Sequence, residues 1–113
     1  YLEFYVAESA NLSIDHVLNY PNPFTTATGF YLEHSQPGES LSVLIQIFTA
    51  SGKLVKILEY QTLVGESRIG PIEWDGKDDF GDNIANGVYV YKVTVAKNDG
   101  QRVDKYEKLV LLK

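Results

Sequence analysis

Four carboxylates crowd one short stretch of the chain: Asp75, Asp78, Asp79 and Asp82. Clustered oxygen donors are what a hard cation such as calcium requires. The EF-hand loop, however, places its ligands at alternating positions with a Glu at the twelfth, and this spacing meets neither condition. Gly76 and Gly81 lie beside the carboxylates, and Asp next to Gly is the composition of tight turns, where the side chain accepts backbone N–H groups. We read the cluster as turn caps, with weak calcium binding as the alternative, and assign no metal site and no cofactor. Other reactive residue types are sparse. His16 and His34 lie on separate segments with no motif around either, and His34, just ahead of a turn, reads as a surface residue. No Ser sits in a Gly-x-Ser-x-Gly elbow. The absence of cysteine removes disulfides, thiolate metal sites and cysteine nucleophiles together. This stretch of chain reads as non-catalytic.

A second block carries binding rather than reaction chemistry. Tyr20-Pro21-Asn22-Pro23-Phe24 contains two prolines, each fixing its own φ and pushing the residue before it toward extended geometry. Such a segment is stiff, non-helical and short of two N–H donors, which suits the edge of a sheet or the start of a domain. One reading is a rigid clamp in which Tyr20 and Phe24 pack on the fold. The other adds recognition of the same segment by a partner. Trp74 ends an alternating stretch and reads as a core plug rather than a sugar platform.

The elements that must hold these blocks are strands. Leu41, Val43, Ile45 and Ile47 share one face of an alternating run over residues 41–48. Tyr89, Tyr91, Val93 and Val95 share one face of residues 88–96, opposite Lys92 and Thr94. Residues 28–34, 53–60, 67–74 and 102–112 are further strand candidates, and the 8 Tyr and 5 Phe suit half-buried pleated surfaces. Turn signals separate them. Gly52 after Ser51 can take the positive φ of a short hairpin loop, and Asn98-Asp99-Gly100 links the last two strands. Gln36-Pro37-Gly38-Glu39 suits a type II turn. The predicted fold is all-β, an antiparallel immunoglobulin-like sandwich of about seven strands. Leu2-Glu3-Phe4-Tyr5-Val6 is strand-like but followed by a polar, small-residue connector. Residues 1–13 are therefore expected to be the last strand of a preceding domain plus a linker, with the sandwich over residues 14–113.

Composition bounds the partners. A chain of 113 residues is one domain at most, and one of this size buries roughly two-thirds of its unfolded surface. The net charge is −5 with ten scattered Lys and Arg, whereas phosphate binding needs them clustered, which argues against nucleic acid. No apolar run approaches the roughly 20 residues of a membrane-spanning helix. With no Met and Tyr at position 1, the chain reads as a fragment or processed product.

Residues 17–24 look like the opening motif of the C-terminal sorting domains of type IX secretion cargo. Residues 47–55 are similar to their central hairpin. Residues 74–91 resemble the glycine- and aspartate-rich stretch those domains share with the Ig-like domain of flagellar hook-capping proteins, and residues 108–113 resemble their basic-then-apolar last strand. Residues 30–38 resemble the tail of the gingipain-like sortases of the same system. The resemblance covers about residues 14–113. It implies that Tyr20, Pro21, Asn22, Pro23, Phe24, Gly52, Trp74, Asp75, Gly76, Gly81, Gly87, Tyr89, Lys108 and Lys113 carry sorting information. It further implies export through the periplasm, a place at the outer-membrane surface, and engagement of the outer-membrane shuttle or attachment protein. The parent would be a sortase whose Cys/His peptidase domain lies upstream. The rival is a structural or adhesive Ig-like spacer, or a carbohydrate-binding module using Trp74 and exposed Tyr residues. Strand-mediated self-association is a further expectation, since unpaired strands add to open edges.

Overall fold

The computed structural model describes residues 11–113. The strand expected over residues 1–6 therefore lies outside the described residues. Seven strands follow: β1 (Ile14–Tyr20), β2 (Thr28–His34), β3 (Ser42–Thr49), β4 (Leu54–Gln61), β5 (Arg68–Trp74), β6 (Gly87–Ala96) and β7 (Arg102–Leu111). They form two sheets, ordered β1-β2-β5 and β4-β3-β6-β7, and every pairing within them is antiparallel. This is the all-β sandwich that the alternating pattern predicts. β1 is absent from the predicted strands, because the proline block at its end masks a short run whose alternation is broken by a register shift between Asp15 and Leu18. His16, at that shift, has φ 52°, a left-handed conformation that His tolerates better than most side chains.

The core is the sum of the two inward faces. Val43, Ile45 and Ile47 from β3 and Tyr89, Tyr91, Val93 and Val95 from β6 are buried against Phe30, Leu32, Ile69, Ile72 and Trp74 of the smaller sheet. The rings of Phe30 and Tyr91 meet edge-on at 4.8 Å across the sandwich, a geometry favoured by the ring quadrupoles. Lys92 points the other way, toward Asp104 at 3.8 Å and the Tyr106 ring. Thr94 also lies on that outer face, but contrary to expectation it is buried, at 8% exposure, between its register partners Leu44 and Asp104.

Two tight hairpins form as the glycines dictate. Thr49 and Lys53 close a three-residue loop with Gly52 at φ 95°, and Lys97 and Gln101 close another with Gly100 at φ 93°. The turn at residues 36–39 closes through Glu39 N–H to the Gln36 carbonyl at 3.1 Å, but Gly38 is not among the glycines with positive φ, so it is not type II. Type I and type II turns differ by a flip of the central peptide. Here the Pro37 carbonyl accepts a 2.7 Å bond from Gly65 N–H, which fixes that peptide's orientation.

Sequence reading places His34 at the surface; it is buried, with 7% exposure. Thr28, Phe30, Leu32 and His34 alternate along β2, all on the inward face. Strand periodicity outweighs the polarity of the last member. Its Nδ1 accepts the Gln36 N–H at 3.0 Å.

Candidate functional site

β7 is an edge strand, and an edge leaves a row of backbone groups to satisfy. The proline block supplies the partner for its second half. Phe24 N–H donates to the Val110 carbonyl and Leu112 N–H donates to the Phe24 carbonyl, both at 2.9 Å, forming one parallel bridge. Just before it, the Asn22 side chain imitates a peptide unit. Its Nδ2 donates to the Lys108 carbonyl at 3.2 Å and its Oδ1 accepts the Val110 N–H at 3.0 Å. The prolines on each side of Asn22 remove the N–H groups of positions 21 and 23, and the Asn22 side chain takes over the pairing.

This brace is itself held from below. Asn22 Nδ2 also donates to Asn19 Oδ1 at 3.2 Å, while Thr28 Oγ1 donates to the Pro21 carbonyl at 2.8 Å and accepts Asn19 Nδ2 at 3.2 Å. Asn19 and Thr28 are buried polar residues that sequence reading misses. The available signal is a polar side chain at an inward position of an alternating strand, which demands a buried partner.

Phe24 anchors the block. Its ring is buried against Trp74 at 5.5 Å, and a Cβ on Gly76 would come within 3.2 Å of it. Trp74 is buried too, with its indole N–H donating to the Lys77 carbonyl at 2.8 Å. It therefore presents no sugar platform. Tyr20, expected to pack on the fold, is instead 70% exposed. Inward positions of β1 are Val17 and Asn19, which sends Leu18 and Tyr20 to the opposite face.

Two of the four aspartates, Asp75 and Asp78, act as turn caps. Asp75 Oδ1 accepts the Lys77 N–H at 3.1 Å, and Asp78 Oδ1 accepts those of Phe80 and Asp82 at 2.9 Å each. Asp79 instead reaches across to β4, where its N–H donates to the Val55 carbonyl at 3.1 Å and its carboxylate lies 3.5 Å from Lys56 Nζ. Thus the loop covers β4, the other edge of the four-stranded sheet. Both edges are covered at the same end of the sandwich.

The motif residues converge there in part. Gly87 pairs with Leu111, and Asn86 Oδ1 accepts the Lys113 N–H at 3.1 Å. The Tyr89 hydroxyl donates to the Ala85 carbonyl at 2.6 Å, and burial raises its pKa. Gly52 sits on the hairpin after β3, and Gly81 at the tip of the aspartate loop has no atom near an added Cβ. Lys108 and Lys113 are exposed. What this seam offers is backbone pairing, one aromatic anchor and free ammonium groups, which is binding chemistry.

Two antiparallel sheets packed face to face, with the last strand braced from the side, make this an immunoglobulin-like sandwich domain. The chain belongs to the FlgD Ig-like domain family, whose match runs over residues 22–100. It is similar to PorU from Porphyromonas gingivalis, known from a crystal structure of its dimeric latent form, with 31% identity over 91% of this chain and a TM-score of 0.78. The match takes in only 10% of that protein. FlgD from Xanthomonas campestris, a protein of flagellar hook capping, is 18% identical, with 95% of this chain and 74% of that one covered and a TM-score of 0.60, a likeness of fold alone. No curated protein matches the chain. The domain is thus a non-catalytic Ig-like domain related to part of PorU.

Proposed function

We propose that residues 14–113 form an attachment module that directs export of a parent protein through the type IX secretion system and holds it at the outer-membrane surface. In this reading the parent is a sortase-type peptidase whose catalytic domain precedes the module, and the partner is the outer-membrane shuttle or attachment protein. The observation that carries it is the seam itself. The two segments that resemble sorting motifs, Asn22 with Phe24 and the strand from Lys108 onward, are joined by four hydrogen bonds into one surface. Identity of 31% to PorU across nearly the whole module supports the same assignment.

The partner would meet backbone rather than a pocket. The brace covers β7 only from Lys108 onward, and among the described residues no backbone bond reaches the outer edge of residues 102–107. An extended segment could pair there, main chain giving affinity and side chains register.

The test is charge reversal at Lys108 and Lys113 in the full-length parent. Both side chains are exposed, so the fold should change by no more than about 0.5 kcal/mol. The variant is expected to accumulate in the periplasm. Normal surface display, with an unchanged melting curve for the isolated module, would remove the sorting role of those two lysines and favour a plain spacer.

A further inference from the structure

The outer face of the three-stranded sheet carries a feature of which the sorting reading uses only Tyr20. A groove of about 430 Å³ runs over β1 and β2 to the start of β5, with Leu18 and Tyr20 on one side, Tyr31 in the middle, and His16, Glu33 and Arg68 at one end. A second depression of about 260 Å³ continues past Tyr20 and Tyr31 toward Pro71 and Glu73. The two tyrosines are common to both.

The placement of Tyr31 is built into the backbone. Gly70 has φ 131°, and a Cβ there would lie 2.5 Å from Tyr31 Cδ2 and 2.7 Å from the Phe30 carbonyl oxygen. A Cβ on Gly29 would lie 3.6 Å from Tyr31 Cε1 and 2.7 Å from Pro71 Cβ. Glycine at position 70 lets the ring rest directly on the main chain of β5, while glycine at position 29 makes room for Pro71. Tyr20 stands beside it, 70% exposed, on the strand-end position paired with Gly29. At the far end Arg68 Nε and His16 Nδ1 lie 3.5 and 3.6 Å from the same Glu33 oxygen.

We propose that this face binds a neutral glycan chain. The C–H face of a pyranose packs on an exposed tyrosine ring, whose hydroxyl stays free to bond. Carboxylate and guanidinium groups present paired acceptors and donors to vicinal hydroxyls. Few polar groups on a mostly apolar wall is the usual make-up of a small-ligand site. Competing ligand classes fit less well. A peptide on a sheet face finds the sheet's backbone groups already paired, so it gains no main-chain bonds. Phosphates and acidic sugars meet Glu33 and Glu73, and the two basic groups of the groove, His16 and Arg68, are already turned onto Glu33. The neutral charge of the ligand follows from that balance.

The experiment is native affinity electrophoresis of residues 11–113 and of the full-length parent through gels holding a neutral polysaccharide: β-glucan, galactomannan, mannan or xylan. A gel with polygalacturonate serves as the acidic arm. At least one neutral polymer is expected to retard the protein. Tyr20→Ala, at an exposed position that leaves the fold intact, is expected to weaken that retardation at least tenfold. Tyr31→Ala should do the same, and Phe80→Ala, an exposed aromatic on the aspartate loop, should leave it unchanged. Retardation by none of the neutral polymers, by polygalacturonate alone, or equally for wild type and Tyr20→Ala overturns the proposal.

Discussion

Replacing Asn22 by Asp tests the brace at a single atom. The two side chains have the same shape, but Nδ2 becomes a second oxygen. The bond from Val110 N–H at 3.0 Å survives, because it uses Oδ1. Two others do not: the donor at 3.2 Å from the Lys108 carbonyl and 3.2 Å from Asn19 Oδ1 is replaced by an acceptor facing acceptors. Each lost bond is worth about 0.5–1.5 kcal/mol net, and Asn22 is exposed enough for water to recover part of that. Attraction between the new carboxylate and nearby lysine offsets at most about 1 kcal/mol at a surface position. The sum is a loss of about 1–2 kcal/mol, concentrated at the end of β7. Native-state hydrogen exchange reads this directly. The amides of Val110 and Leu112 should exchange about tenfold faster in the variant, since 1.4 kcal/mol corresponds to a factor of ten in opening. Amides of Ile45 and Val93, in the middle of the sheet, should lag behind. If Val110 and Leu112 accelerate only in step with Val93, the brace is not a separate unit and the reasoning fails.

Tyr91→Phe should stabilise the domain by about 1 kcal/mol in chemical denaturation, because the hydroxyl is buried without a hydrogen-bond partner among the described residues; a loss of 1 kcal/mol or more would reveal a partner. Burial, with a smaller contribution from Glu107, raises the Tyr91 pKa above its unfolded value of about 10. The unfolded state therefore releases its proton first, so the stability is intact below about pH 10 and falls as the pH climbs beyond it. The phenylalanine variant should show a shallower alkaline decline, and parallel curves would refute the assignment. Gly70→Ala should cost about 2–4 kcal/mol from positive φ and the contact with the Phe30 carbonyl; a neutral melt would mean that β5 can shift to make room.

The strands are legible because burial on one face writes itself into alternating residues, and Val43, Ile45 and Ile47 point where that alternation sends them. The same rule buries His34, once its register with Phe30 and Leu32 is weighed above its polarity. Trp74 is readable as core from aromatic bulk at a strand end, and Phe24 from the aromatic ring that closes the proline block. Tyr20 is not, since a bulge between Asp15 and Leu18 decides which face it takes. Nor is the brace. Nothing in Pro-Asn-Pro says that the asparagine amide will stand in for a strand 86 residues away in sequence. That pairing exists only after two sheets have brought the start and end of the sandwich together.

If the module directs export as proposed, loss of export can arise from a lost signal or from a lost fold. Asn22 and Phe24 close one edge of the four-stranded sheet, and Asp79 closes the other. A substitution at any of them opens an edge, and an open edge invites pairing with other chains whether or not a receptor has been lost. An export defect from Asn22→Asp would therefore fit both a missing signal and a misassembled domain. Lys108 and Lys113 are free of this ambiguity, because their contacts to Asn22 and Asn86 use backbone atoms and leave the ammonium groups outside the fold. Reversing those charges alters what a partner meets while the edge stays shut. At these two positions a sorting defect separates recognition from folding.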